Sequence, residues 1–184
     1  MGTTFVDRAT RRPVPGVIRR ADERDLLGWT RWRYRPADED RGWDWWDIFQ
    51  DCRRSGGRYE CYAAVVGPDV QALMTLDAAG HPPGGRRSLV IDYLATSPLN
   101  RHLDRGLKHV GIALVGVAVR RSLERKLEGR VWLESLPGAA AFYESLGFRR
   151  QPAVSAAGHV VYVLTAARAK ALLKIISNRE ILAP

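Results

Sequence analysis

Lys108, His109 and Gly111 stand at the head of the stretch 106–119, GLKHVGIALVGVAV, which after that polar opening is almost wholly apolar. A helix beginning there presents the unpaired N–H groups of its first turn, and the positive end of its dipole, to whatever lies in front of it. The ligand that matches is an anion, a phosphate above all. Lys108 adds a full charge, Gly111 lets a phosphate come close to the backbone, and the apolar remainder buries the helix so that its mouth stays fixed.

The elements that must position this mouth follow from spacing and punctuation. GVIRRADERDL, from Gly16, reads as a short strand leading into a helix that Asp22 can cap. DWWDIFQDC, residues 44–52, has helical spacing and stops before Ser55, Gly56 and Gly57. YECYAAVV and VQALMTLDAA form a hairpin joined at Gly67, Pro68 and Asp69. SLVIDYLATS is a strand that stops at Pro98, and the polar loop LNRHLDRG leads into the long helix, for which Gly129 is a natural stop. RVWLESL, GAAAFYESLG and HVVYVLT then read as strand, short helix and strand, and residues 166–178 as a closing amphipathic helix. The order predicts a mixed α/β domain. Residues 1–15 are basic, carry Pro13 and Pro15 and show no apolar period, so they read as a flexible tail before a single domain at 16–184.

With 184 residues, 46% hydrophobic and 27% charged, the chain is long enough for one substantial core and short for two. Its net charge of +9 favours polyanionic partners, either nucleic acid or a ligand with several phosphates. That charge is uneven: residues 1–20 hold five arginines against one acid, and 101–130 hold eight basic residues against three acids. The longest apolar run, 110–119, is far below the roughly 20 residues of a membrane span, and the start lacks a secretory pattern. A soluble, cytoplasmic protein with no membrane partner is expected. Cys52 and Cys61 suit neither a disulfide framework nor a metal site, so no metal is expected.

KHVGIA, residues 108–113, resembles the acyl-CoA-binding signature Q/R-x-x-G-x-G/A of the GNAT acetyltransferase superfamily, with lysine in the first place; AAFYESLGF, residues 140–148, resembles its C-terminal motif. IDYLATSP falls where the fourth strand of that family belongs and GRVWLESL where its fifth does. The likeness covers residues 89–150, with a looser agreement of element order from residue 17. It implies the GNAT fold: a central mixed, mostly antiparallel sheet, splayed between the fourth and fifth strands and flanked by helices. It also implies acetyl-CoA, or another acyl-CoA, as co-substrate. The pantetheine arm would lie in the gap against the backbone of Leu94, Ala95 and Thr96. The pyrophosphate would rest on the N–H groups of His109, Val110, Gly111, Ile112 and Ala113.

The activity so implied is N-acyl transfer, in which a primary amine attacks the thioester directly in a ternary complex. Tyr143 matches the family's usual donor of a proton to the departing thiolate. Asp92, which alternates with Leu94 and Thr96 along its strand, and Glu134 are the candidates to take the proton of the amine. The family's acceptor region corresponds to residues 29–49. Five of the six tryptophans, Trp29, Trp32, Trp43, Trp45 and Trp46, lie there and read either as an aromatic wall for the acceptor or as core.

Three features depart from the pattern: His109 stands where glycine is frequent, Leu136 and Pro137 occupy the region of a common asparagine, and the loop after Pro98 is long. That loop carries Arg101, His102 and Arg105, candidates to hold phosphate or a partner. Two other readings share this fold: an enzyme that uses aminoacyl-tRNA as acceptor or donor, and an acyl-CoA-binding interaction module without catalysis. A small-molecule or macromolecular amine, and a monomer or a homodimer, are equally compatible with the sequence.

Overall fold

A computed structural model describes residues 1–78, 80, 82, 85–101, 106–155 and 157–182. In chain order its elements are β1 (Gly2–Asp7), β2 (Pro13–Arg20), α1 (Glu23–Trp29), α2 (Trp45–Arg54), β3 (Tyr59–Val66), β4 (Asp69–Asp77), β5 (Leu89–Thr96), β6 (Leu107–Lys108), α3 (Val110–Glu124), β7 (Val131–Ser135), α4 (Ala140–Ser145), β8 (Arg149–Val154), β9 (Val160–Leu164) and α5 (Ala166–Asn178). The strands form one sheet in the order β6-β1-β2-β3-β4-β5-β7-β9-β8. Every pairing is antiparallel except β5 with β7.

Each face of the sheet has its own core. Leu76, Leu89, Ile91 and Leu133 pack with Leu114, Val115 and Ala118 of α3 and with Ile176 of α5. On the other face Leu73 and Ala95 pack with Leu26 of α1 and with Trp45 and Phe49 of α2. Asp22 caps α1 in a reciprocal box with Asp25, which satisfies N–H groups that the first turn leaves free.

The parallel pair opens after three residue pairs: Leu89 faces Val131, Val90 faces Trp132, Ile91 faces Leu133, and the pairing stops there. β5 nevertheless continues to Thr96 and β7 to Ser135, so the two strands diverge. A bulge marks the same point. Leu76 pairs with Ile91 and Thr75 with Tyr93, which leaves Asp92 without a cross-strand partner in β4.

Residues 1–15 are not a flexible tail. β1 bonds to β2 on one side and to β6 on the other, and Thr3 and Phe5 turn inward, Phe5 being fully buried. The two-residue alternation was hidden because a threonine occupies one of its inward places. The long helix also starts later than its apolar stripe suggests. Leu107 and Lys108 belong to β6, and α3 begins at Val110. Gly106 (φ 84°) and His109 (φ 71°) adopt left-handed backbone, and a Cβ on Gly106 would lie 2.4 Å from the Leu99 carbonyl oxygen. At its other end α3 stops at Glu124, ahead of Gly129.

Candidate functional site

Where β5 and β7 diverge lies a cavity of about 650 Å³. Leu94, Ala95 and Thr96 form one wall, Phe142 and Tyr143 of α4 the other, and His109, Val110, Gly111 and Ile112 close the mouth. The Ser97 N–H donates to the Gln71 carbonyl across to β4 (2.8 Å). By alternation the N–H groups of Leu94 and Thr96 therefore point away from β4, into the slot where β7 has withdrawn.

The mouth is held by Asn100, which is 6% exposed. Its side-chain N–H donates to Gln71 of β4, its Oδ1 accepts from the Leu107 N–H (2.7 Å), and its carbonyl accepts from Arg8 Nη2 (3.0 Å). Arg8 lines the cavity and carries a buried Nε without a hydrogen-bond partner. His109 has its pKa lowered, first by burial and then by the charges of Arg179, Lys108 and Arg8. Neutral at pH 7, it sits in a field that favours an anion.

Two of the residues assigned to the mouth are placed differently. Lys108 is held in β6 and is not among the residues that line the cavity, a place that Arg8 takes instead. The Ala113 N–H donates to the His109 carbonyl (2.9 Å) and is not free for a ligand. Gly111 has a packing reason as well: a Cβ there would meet the Phe142 ring at 3.0 Å.

Tyr143 is 6% exposed and packs edge-on against Phe142 and Phe148. Burial raises its pKa above the ordinary phenol value, so it stays protonated at neutral pH. Among the described residues no group hydrogen-bonds its hydroxyl, and the ring lines the cavity.

Asp92 and Glu134 do not line that cavity. The bulge overturns the expected alternation: Leu94 packs toward α3, whereas Tyr93 packs toward α1 and α2. Glu134 follows Leu133, which belongs to the α3-side core, so it faces the α1/α2 side. Asp92 is surface-accessible but closely flanked, and its pKa is raised first by desolvation and then by the charges of Asp77 and Glu134.

None of the five tryptophans assigned to the acceptor is among the residues that line this cavity. Trp45 and Trp32 are buried in the α1/α2 core, with Trp29, Trp43 and Trp46 packed against it. Trp43 meets Tyr93 edge-on at 5.0 Å, and Trp32 Nε1 donates to the Val70 carbonyl (3.1 Å). The part of that segment that reaches the cavity is Ala37, Asp38, Glu39 and Asp40. Arg101 binds Asp40 through both terminal guanidinium nitrogens, contacts Asp38 at 3.4 Å and donates from Nε to the Thr96 carbonyl. Glu39 Oε2 accepts from the Gly138 N–H (2.9 Å), so the acidic loop bridges the two diverging arms. The run PADED was the available sequence signal, outweighed by its aromatic neighbours. His102 and Arg105 lie outside the described residues.

Much of the positive charge is already engaged. Glu60, 3% exposed, receives Arg121, Arg125 and Arg20 together with the Tyr62 hydroxyl. Desolvation pushes its pKa up, but these partners outweigh it and bring the carboxyl down to about 2. Arg130 pairs with Glu128, and Arg19 with Asp25.

No family model and no curated protein matches the sequence. Solved structures do match. One is described as a GNAT-family acetyltransferase from Desulfovibrio desulfuricans (19% identity, TM-score 0.57, covering 82% of this chain and 99% of that one). A second is AtaTR bound with acetyl-CoA (19%, 0.59, 85% and 97%). A third is Ard1 from Thermoplasma volcanium (16%, 0.55, 80% and 94%). At these identities the likeness is one of fold.

Proposed function

From a chain that has the GNAT acetyltransferase fold, we propose an acyl-CoA-dependent N-acyltransferase that moves an acyl group, acetyl first, onto a primary amine in a ternary complex. The observation that carries this reading is the slot itself. Two strands separate beside a fixed helix mouth, and buried Tyr143 lines the gap, its hydroxyl without a hydrogen-bond partner among the described residues.

The diphosphate of acyl-CoA would meet the free N–H groups of Val110, Gly111 and Ile112, with His109 and Arg8 beside them. The pantetheine arm would run along Leu94 to Thr96. Asp92, directly or through water, takes a proton from the acceptor ammonium; its raised pKa brings it closer to the range of a working base. The amine nitrogen then attacks the thioester carbonyl carbon. As the C–N bond forms, the oxyanion is met by an N–H of β5, a kind of donor worth about 3 kcal/mol. The nitrogen gives up its second proton to water, collapse breaks the C–S bond, and the thiolate takes the proton of Tyr143, which solvent later restores.

The engagement of Arg20, Arg121 and Arg125 by Glu60 leaves less positive surface for an RNA-borne amine than the bare sequence suggests. Calorimetry with acetyl-CoA, followed by free-thiol release over an amine panel, tests the reading. Binding, and thiol release with at least one amine, is expected. Absence of both heat and thermal shift with acetyl-CoA overturns it.

A further inference from the structure

The two cysteines stand nine places apart in the sequence and share no motif there, yet the fold brings them together. Cys52 lies in the last turn of α2 and Cys61 in β3, where Cys61 and Ala63 both turn toward α2. Both cysteines line an open cavity of about 710 Å³ on the α1/α2 side of the sheet, with Arg20, Phe49 and Tyr59. Cys61 is 6% exposed, whereas Cys52 is half-buried and can be reached from the cavity. The two thiols hydrogen-bond one another, which lowers the pKa of Cys52 and raises that of Cys61. Burial raises both; among nearby charges Arg20 supports a thiolate at Cys52, and Asp92 and Asp51 oppose it. The inner sulfur therefore keeps its proton longer than the outer one. A reachable thiolate beside a buried thiol is the arrangement of an attacking sulfur with its resolving partner. Neither sulfur has a part in acyl transfer. α2 ends at Arg54, and Gly56 and Gly57 just beyond it have left-handed backbone (φ 63° and 90°). The last turn of the helix thus hangs on a glycine turn. That turn gives the sulfurs room to close from hydrogen-bond contact to a bond of about 2.05 Å.

We propose that Cys52 and Cys61 form a reversible oxidation site, at which a peroxide converts the thiol pair into a disulfide between α2 and β3. The Cys52 thiolate attacks one peroxide oxygen, the O–O bond breaks, and hydroxide leaves, so that Cys52 becomes a sulfenic acid. The hydroxide takes the proton of Cys61. The Cys61 thiolate then attacks the Cys52 sulfur, the S–S bond forms, the S–O bond breaks, and the second hydroxide is protonated by solvent. The pair loses two electrons, and one hydrogen peroxide becomes two waters. A thiol reductant reverses the step by exchange. Because Cys61 is held against Cys52, the sulfenic acid is resolved from within the chain ahead of a free thiol or a second chain. The pair lies on the face of the sheet opposite α3, so the helix mouth is untouched and the inference stands independently of the acyltransferase reading.

The test treats the full chain, first reduced, with hydrogen peroxide and follows its intact mass, with peptide mapping under non-reducing conditions. The expected product is a single chain lighter by two hydrogens, cross-linked between Cys52 and Cys61, which dithiothreitol returns to the starting mass. Cys61→Ser should stop at a sulfenic acid on Cys52 that dimedone traps. Cys52→Ser should react at least about tenfold more slowly than the parent, as a buried, protonated thiol does. Oxygen added to the parent chain without loss of hydrogens, a disulfide between chains, or equal rates for the parent and Cys52→Ser overturns the inference. The mass and the cross-link are read on the parent chain, so they decide the matter even if a variant fails to fold.

Discussion

On the α3 wall of the slot, burial and then Arg179, Lys108 and Arg8 lower the pKa of His109; on the α1/α2 wall, burial and then Asp77 and Glu134 raise the pKa of Asp92. Desolvation works against the charged form on both walls, and in each case like charges add to it. The second contributions report the local field, positive on one side and negative on the other. A protein with nine excess positive charges thus gathers carboxylates around Asp92 on one side of the diverging strands and cations around His109 on the other. Net charge describes the whole surface; function depends on which charges remain unspent, and where.

The comparison breaks at once if the apparent cationic surplus is free. Glu60 is the check, because it holds Arg20, Arg121 and Arg125 together. Its carboxyl has a folded pKa of about 2 against an ordinary 4.5, so its contribution is complete above about pH 4.5 and is lost as pH falls toward 2. Glu60→Gln should cost about 3 kcal/mol at neutral pH, read by urea unfolding, and the difference from the parent should vanish toward pH 2. An unchanged midpoint at pH 7 would mean those arginines are not tied to Glu60.

Chemistry between the two walls is the next largest effect. Tyr143→Phe removes the hydroxyl proposed as proton donor and almost no volume, so on that proposal kcat should fall about a hundredfold while acetyl-CoA affinity holds. Full turnover would remove Tyr143 from the mechanism. On the cationic wall alone, Arg8→Gln should weaken acetyl-CoA about tenfold, the worth of a charge-assisted hydrogen bond, with acceptor KM unchanged. The smallest effect is a pH dependence. A bound diphosphate favours protonated His109, so acetyl-CoA affinity should rise a few-fold as pH falls from about 7.5 to 6, and His109→Ala should flatten the profile.

The slot was legible in the sequence because its parts carry strong local signals. The apolar stripe of α3, the strand IDYLAT and the AAFYESLG turn each specify their own geometry, and their order specifies the sheet. What could not be read was non-local. β1 is a strand only because β2 and β6 flank it, and β8 holds two arginines and Pro152 that an edge strand tolerates. The register shift opposite Asp92 depends on β4 and reverses the side on which that carboxylate lies. Tryptophans 29–46 drew attention by type, yet burial decides their role, and the carboxylates between them reach the slot because Arg101 and Gly138 hold the loop there. Arg8 escaped notice for the same reason: nothing near it in sequence says that it ends beside His109.

Amide NMR of the labelled protein, titrated with acetyl-CoA, tests the slot most directly. Acetyl-CoA should shift the amides of Leu94, Thr96 and residues 109–112 and leave 38–40 largely still. Acetyl-CoA shifts confined to residues outside β5 and the first turn of α3 would contradict the account.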